Sequence, residues 1–190
     1  MTAANTANDT STAGIADGFR DTDDLGNDGA GAAGEVAITR PYPVNLRVAG
    51  RRAVVVGGGK VAARKVAHLL RAGAKVTVVS PALDDRVKAE ADAGHVDWID
   101  RGYRTGDLDG AAIVIACTDD QAVNHQVVAD AGEGQLVNNT ADPVESDFTN
   151  VAVIEHDGLL VTVSTKSVAP ARVRRVKERL ARLLEDADLA

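Results

Sequence analysis

A chain of 190 residues with 45% hydrophobic content can bury one core of ordinary size and at most a small appended element. No run reaches the roughly 20 apolar residues of a membrane helix, no basic-then-apolar block opens the chain as in a secretory signal, and the lone Cys117 excludes an internal disulfide or a thiolate metal cage. A reducing, cytoplasmic setting is the expectation, with no membrane contact and, at a formal net charge of −7, no nucleic-acid partner.

The charge is unevenly placed. Within residues 1–35, Asp9, Asp17, Asp21, Asp23, Asp24, Asp28 and Glu35 face only Arg20, which leaves −1 for everything after them. Ala, Gly, Thr, Asn and Asp dominate this stretch, and beyond Met1 its large apolar side chains are Ile15, Phe19 and Leu25. So few cannot offset the entropy of ordering the segment. Residues 1–38 are expected to be a disordered acidic leader.

From Arg52 onward, short apolar runs at 53–56, 75–80, 96–99, 111–117 and 135–138 alternate with longer stretches, the pattern of a parallel sheet with crossover helices. The spacing of Val61, Val66, Leu69 and Leu70 predicts a helix over 60–71 that ends at Gly73. Similar helices fit 84–93 and 121–131. A doubly wound, Rossmann-like α/β domain is expected over 39–149. The pattern then changes: 151–154 and 159–164 read as a hairpin reversed by Asp157-Gly158. Past Pro170, the stripe Val173, Val176, Leu180 and Leu183 predicts an amphipathic helix flanked by Arg172, Arg174, Arg175, Lys177, Arg179 and Arg182. A hairpin and one helix are a poor core alone, so residues 150–190 are expected to bury the stripe in a homodimer, with packing onto the chain's own sheet as the alternative.

The first strand-to-helix turn reads Gly57-Gly58-Gly59-Lys60-Val61-Ala62, a dinucleotide fingerprint with alanine in the third position. Gly57 permits the tight turn, Gly59 admits a pyrophosphate to the backbone, and Ala62 lets the helix approach the strand. Free N–H groups at the helix start meet the phosphates. The carboxylate expected about 20 residues later to grip a ribose is absent: Val79, Ser80 and Pro81 stand there. A serine hydroxyl can bond a ribose but does not repel an added phosphate, which leaves NAD and NADP both open.

In an open α/β sheet the ligand crevice lies at the carboxyl ends of the strands. Here that places Gly57 to Val61, Ser80 to Ala82, Cys117 to Asp119 and Asn138 to Asp142 together. Asp119 and Asp142 are the crevice acids able to take a proton. Asp119, in Thr118-Asp119-Asp120 just ahead of a helix, suits capping; Asp142, just before Pro143, has an Asp-Pro turn as its alternative. His68, His95, His125 and His156 form no pair at metal-binding spacing and suit surface or helix-packing roles. Cys117, ending an apolar strand, suits packing. The hydroxyls, lysine and backbone donors of Ser164, Thr165, Lys166 and Ser167 suit anionic groups, or simple capping of the last helix.

These residues carry a family resemblance. Tyr-Pro-Val-Asn-Leu at 42–46, Val-Val-Gly-Gly-Gly-Lys-Val-Ala-Ala-Arg-Lys at 55–65, Val-Ser-Pro at 79–81, Ala-Cys-Thr-Asp-Asp at 116–120, Val123-Asn124, residues 138–142, Asp147-Phe148 and Val-Ser-Thr-Lys-Ser-Val-Ala-Pro at 163–170 resemble the precorrin-2 dehydrogenases, some of which also insert iron as siroheme synthases. The resemblance covers about residues 42–186. It implies NAD as hydride acceptor, a dimer exchanging its hairpin-and-helix region, Asp142 as the residue central to dehydrogenation, and Lys60, Val61, Pro81 and Ala82 at the dinucleotide. It further implies precorrin-2 as substrate and sirohydrochlorin, the precursor of siroheme, as product. A polycarboxylate tetrapyrrole also gives Lys166 and the arginines of the last helix a role. Relatives commonly carry a further helical domain, and some have serine where Thr165 stands, so the expectation is dehydrogenation, with iron insertion left to a separate chelatase. A bifunctional dehydrogenase and ferrochelatase, and a non-catalytic dinucleotide sensor, are the alternatives.

Overall fold

The computed structural model describes residues 41–164 and 170–186. The expected leader over 1–38 and the loop residues Thr165, Lys166 and Ser167 lie outside the described residues. The elements are β1 (Arg52–Val56), α1 (Lys60–Arg71), β2 (Lys75–Val79), α2 (Asp85–Asp92), β3 (Val96–Ile99), β4 (Ile113–Ala116), α3 (Gln121–Asp130), β5 (Leu136–Asn139), β6 (Ala152–His156), β7 (Leu159–Val163) and α4 (Pro170–Glu185). The first five strands form one parallel sheet in the order β3-β2-β1-β4-β5, the doubly wound arrangement expected from the alternating apolar runs.

Period two divides the core. Ala53 and Val55 of β1 turn toward Ala62, Val66 and Leu69 of α1. Val54 and Val56 turn the other way, toward Val114, Val127 and Leu108. Both faces are therefore covered, which is why β1 and β4 read as unbroken apolar runs. The crossover from β3 to β4 departs from the helical pattern of the others. It is a chain of turns in which Arg101 holds both carboxylate oxygens of Asp107 at 2.6 and 2.7 Å, while Leu108 and Tyr103 cover the second core face.

The outer edge of β5 is closed by the chain's own return. Val137 N–H donates to the Asp147 carboxylate at 2.8 Å, Asp147 N–H to Val137 O at 2.9 Å, and Asn139 N–H to the Ser146 hydroxyl at 2.9 Å. Side chains thus take the place of a sixth strand at an edge that would otherwise present unpaired donors. Beyond it, β6 and β7 pair antiparallel around Asp157 and Gly158, whose φ values of 42° and 77° are those of a two-residue hairpin turn. α4 lies against both strands of this hairpin. Of its apolar stripe, Val173 and Leu180 are half-buried, whereas Val176 and Leu183 remain exposed.

Candidate functional site

The phosphate turn is shaped by three glycines with three different surroundings. Gly57 adopts φ +115°, donates its N–H to Val79 O at 2.9 Å, and leaves room for only 2.7 Å between an added Cβ and Cys117 O. Gly58 is tighter still: a Cβ there would stand 1.9 Å from Ala82 O. Around Gly59 the space is open, with nothing within 4 Å of such a Cβ. Gly59 also starts α1 without a side-chain cap, and no acid lies in the first helical turn. Among the described residues, the N–H groups of Lys60 and Val61 have no partner. Uncapped donors at the positive end of a helix, facing open space, suit a pyrophosphate.

Ser80 leaves β2 into a closed turn. Its hydroxyl donates to Ala82 O at 2.7 Å and accepts from Ala82 N–H at 3.4 Å, and the residue is 7% exposed. The hydroxyl that the sequence offers to a ribose is therefore engaged in holding Ala82 against Gly58. Pro81 and Ala82 are exposed at the crevice. The turn is braced from outside by the Trp98 indole N–H on Ser80 O at 2.9 Å, and from below by Asp84 N–H on Gly58 O at 2.7 Å. Asp84 caps α2, and hydrogen bonds from the Arg86 side chain and backbone hold its carboxyl down at about 2.

At the end of β4, Thr118 is fixed by Asn124, which in the sequence carried only the family resemblance and no role at the site. Asn124 is 1% exposed; its Oδ1 accepts from Thr118 N–H at 3.0 Å and from the Thr118 hydroxyl at 2.8 Å, and its Nδ2 donates to Thr118 O at 3.0 Å. A polar residue on the buried side of a helix was the available signal. Asp120, not Asp119, caps α3, accepting from Ala122 N–H at 2.9 Å. Asp119 is left exposed.

Asp142 stands beyond β5, tied to this end of the sheet by Thr140 N–H on Ala116 O at 2.9 Å. It caps a short 3₁₀ turn, Pro143–Glu145, with one carboxylate oxygen accepting Val144 N–H at 2.9 Å. Its other oxygen has no donor among the described residues. Asp142 is half-buried, and Val144 beside it is 70% exposed. Thus the turns carrying Gly57, Ala82, Thr118 and Asp142 adjoin one another at one end of the sheet, through Gly57 with Cys117, Gly58 with Ala82, and Thr140 with Ala116. Ser164 is exposed at the end of β7.

A buried thiol and a half-buried ammonium lie under the crevice. Burial pushes the Cys117 thiol up to about 12, and its Sγ rests 3.4 Å from Val56 O, an inert packing role. Lys65 of α1 reaches Asn138 Oδ1 at 3.4 Å and also bonds Asn150 Oδ1; burial lowers its pKa. It ties the phosphate-binding helix to the strand and the loop that carry Asp142.

Against known proteins, residues 44–152 match a family described as “Putative NAD(P)-binding”. The solved structure of SirC, a precorrin-2 dehydrogenase, superposes with a TM-score of 0.68 at 30% identity, over 75% of this chain and 70% of that one. The chain belongs to the precorrin-2 dehydrogenase family. Two siroheme synthases show the same kinship. That of Photorhabdus laumondii is 39% identical over 143 residues, 75% of this chain and 30% of the relative. That of Pseudomonas entomophila is 39% identical over 139 residues, 73% of this chain and 30% of the relative. The chain thus spans about 30% of the length of these curated relatives. The family match embraces the phosphate turn, the Ser80 turn, Thr118 and Asp142 alike.

Proposed function

We propose that this protein oxidises precorrin-2 to sirohydrochlorin, on the route to siroheme, with NAD as hydride acceptor and Asp142 as proton acceptor. The reaction removes two hydrogens from the tetrapyrrole, one as hydride and one as proton. A nicotinamide dinucleotide held at the α1 N-terminus supplies the hydride acceptor. The chain's own residues do the rest: the N–H groups of Lys60 and Val61 hold phosphates, Gly59 gives them space, Pro81 and Ala82 line the adenosine side, and Thr118 and Asp119 flank the crevice. Ser80 acts by keeping that side in shape. Arg86, an arginine next to this turn, is tied to the Asp84 carboxylate at 2.8 and 3.1 Å, which supports NAD over NADP, whose extra phosphate seeks an arginine.

The observation that carries the reading is the Asp142 carboxylate: half-buried at the crevice, held through one oxygen by Val144 N–H, with the other open to receive a proton. Exposed Val144 next to it offers an apolar rest for a macrocycle. Ser164, Thr165, Lys166 and Ser167 are the proposed partners of the substrate carboxylates. The exposed Leu159, Leu160, Val176 and Leu183 of the hairpin and α4 support a homodimer formed through this region.

The test is spectroscopic. Purified protein with NAD and precorrin-2 is expected to produce NADH, and Asp142→Ala to abolish turnover while dinucleotide affinity stays within about twofold. Dinucleotide binding without NADH formation would convert the reading to that of a sensor. Full turnover by the variant would remove Asp142 from the chemistry.

A further inference from the structure

We infer that His125 and Glu145 form a positioning dyad that orients Asp142 through the amide of Asn139. The inference rests on the reading of Asp142 as proton acceptor. Asn139 ends β5 and is 2% exposed. Its Oδ1 accepts from the backbone N–H of Ala141 at 3.0 Å and of Asp142 at 3.3 Å. Its Nδ2 donates to Glu145 Oε2 at 2.9 Å. Glu145 in turn holds His125 Nδ1 on α3, with its two carboxylate oxygens at 2.7 and 2.8 Å. A chain of side chains therefore runs from a long helix to the backbone of the acid.

The chemistry of the amide makes the chain directional. With its oxygen toward two N–H donors and its NH₂ toward a carboxylate, the Asn139 side chain is satisfied in only one orientation. A flip would set donor against donor and oxygen against oxygen. Without Glu145 the Asn139 NH₂ loses its acceptor, only the two backbone N–H donors still orient the amide, and at 2% exposure there is little water to replace the carboxylate. The Ser146 hydroxyl adds a second hold, 3.1 Å from both Asn139 O and Asp142 O. The turn that Asp142 caps is only three residues long, and its Pro143 and Val144 are exposed. Packing contributes little there, so polar contacts set the carboxylate's direction. His125 gives the Glu145 side chain, which is one third exposed, a second anchor beside Asn139 Nδ2 and so narrows its rotamers.

Precorrin-2 turnover and direct NAD titration distinguish this role from simple support. Glu145→Ala is expected to lower kcat at least about tenfold, since small misplacement of a reacting group is costly, with KM for NAD and NAD affinity within about twofold. Glu145→Gln is expected to recover most of the loss, because its amide oxygen accepts from Asn139 and its NH₂ can face the His125 ring. Asn139→Asp keeps an oxygen to accept from the N–H groups of Ala141 and Asp142 but replaces the donor toward Glu145 with a second acceptor and adds a like charge, and is expected to fall as far as Glu145→Ala. If Glu145→Ala does not fold, the contrast between Glu145→Gln and Asn139→Asp reads the same dependence. Unchanged kcat in Glu145→Ala, or equal loss in Glu145→Gln and Asn139→Asp, would overturn the dyad. Either result with an inactive Asp142→Ala would leave the proton acceptor standing, whereas an active Asp142→Ala would fail that reading instead.

Discussion

Gly58 and Ala82 meet backbone to backbone, so closely that a Cβ on the glycine would stand 1.9 Å from the Ala82 carbonyl oxygen and 2.7 Å from Ser80 Oγ. Gly59, next in the chain, has open space where its Cβ would be. The two positions should therefore separate stability from binding. Gly58→Ala is expected to push the Ser80 turn away and cost about 1–3 kcal/mol by overpacking, together with dinucleotide affinity. Gly59→Ala is expected to leave the melting temperature nearly unchanged yet weaken the dinucleotide at least about tenfold, because its methyl enters the space proposed for the pyrophosphate. Thermal melts and calorimetric titration of both variants check the split.

Asn124 makes three hydrogen bonds to Thr118 from a site with 1% exposure. Asn124→Leu preserves volume but strands the Thr118 N–H and carbonyl, and a buried group without a partner costs about 1–3 kcal/mol. Chemical denaturation is expected to show that loss. Because the β4–α3 turn borders the crevice, dinucleotide affinity should fall with it.

Cys117 is buried and its thiol is pushed up to about 12 by desolvation. At mildly alkaline pH almost none of it is thiolate, the reactive form. A thiol reagent is expected to leave the native protein unlabelled over hours and to label one site per chain after denaturation. Rapid labelling of the native protein would contradict the packing role.

The alternation of valine-rich runs with amphipathic stretches made the parallel sheet and α1 legible, since burial on both faces leaves an apolar signature that local sequence retains. The phosphate turn was legible because glycines at fixed spacing have few other uses. What was not legible lay in side-chain hydrogen bonds between distant residues. The Ser80 hydroxyl had two possible partners, a ribose or its own turn, and only the position of Ala82 against Gly58 decides between them. Glu145 looked like an ordinary polar residue, and Asn124 and Asn139 stood only as members of longer motifs, because the meaning of each depends on which groups the fold brings beside it. The choice of Asp120 over Asp119 as the cap of α3 is likewise a matter of one residue of helical phase. Between β3 and β4, where the sequence pattern predicts no helix, the chain runs in turns: Gly102, Gly106 and Gly110 favour reversals and Arg101 with Asp107 supplies the organising ion pair.

That ion pair gives a pH dependence whose sign is fixed. The Arg101 side chain, together with the Arg104 backbone N–H, holds the Asp107 carboxyl below its ordinary value of 3.8. A depressed folded-state value means that the unfolded chain takes up the proton first as the pH falls. The stabilisation is thus complete above the ordinary value, and is lost as pH falls below it through the depressed one. Asp84, held at about 2 by Arg86, acts in the same direction. Stability measured by denaturant titration is expected to drop below about pH 4. Asp107→Asn is expected to cost about 1–3 kcal/mol near neutral pH, as a hydrogen-bonded charge is removed from the turn that covers Leu108, and to flatten the acid limb. A variant limb as steep as that of the parent would show that other carboxylates, not Asp107, set the acid response.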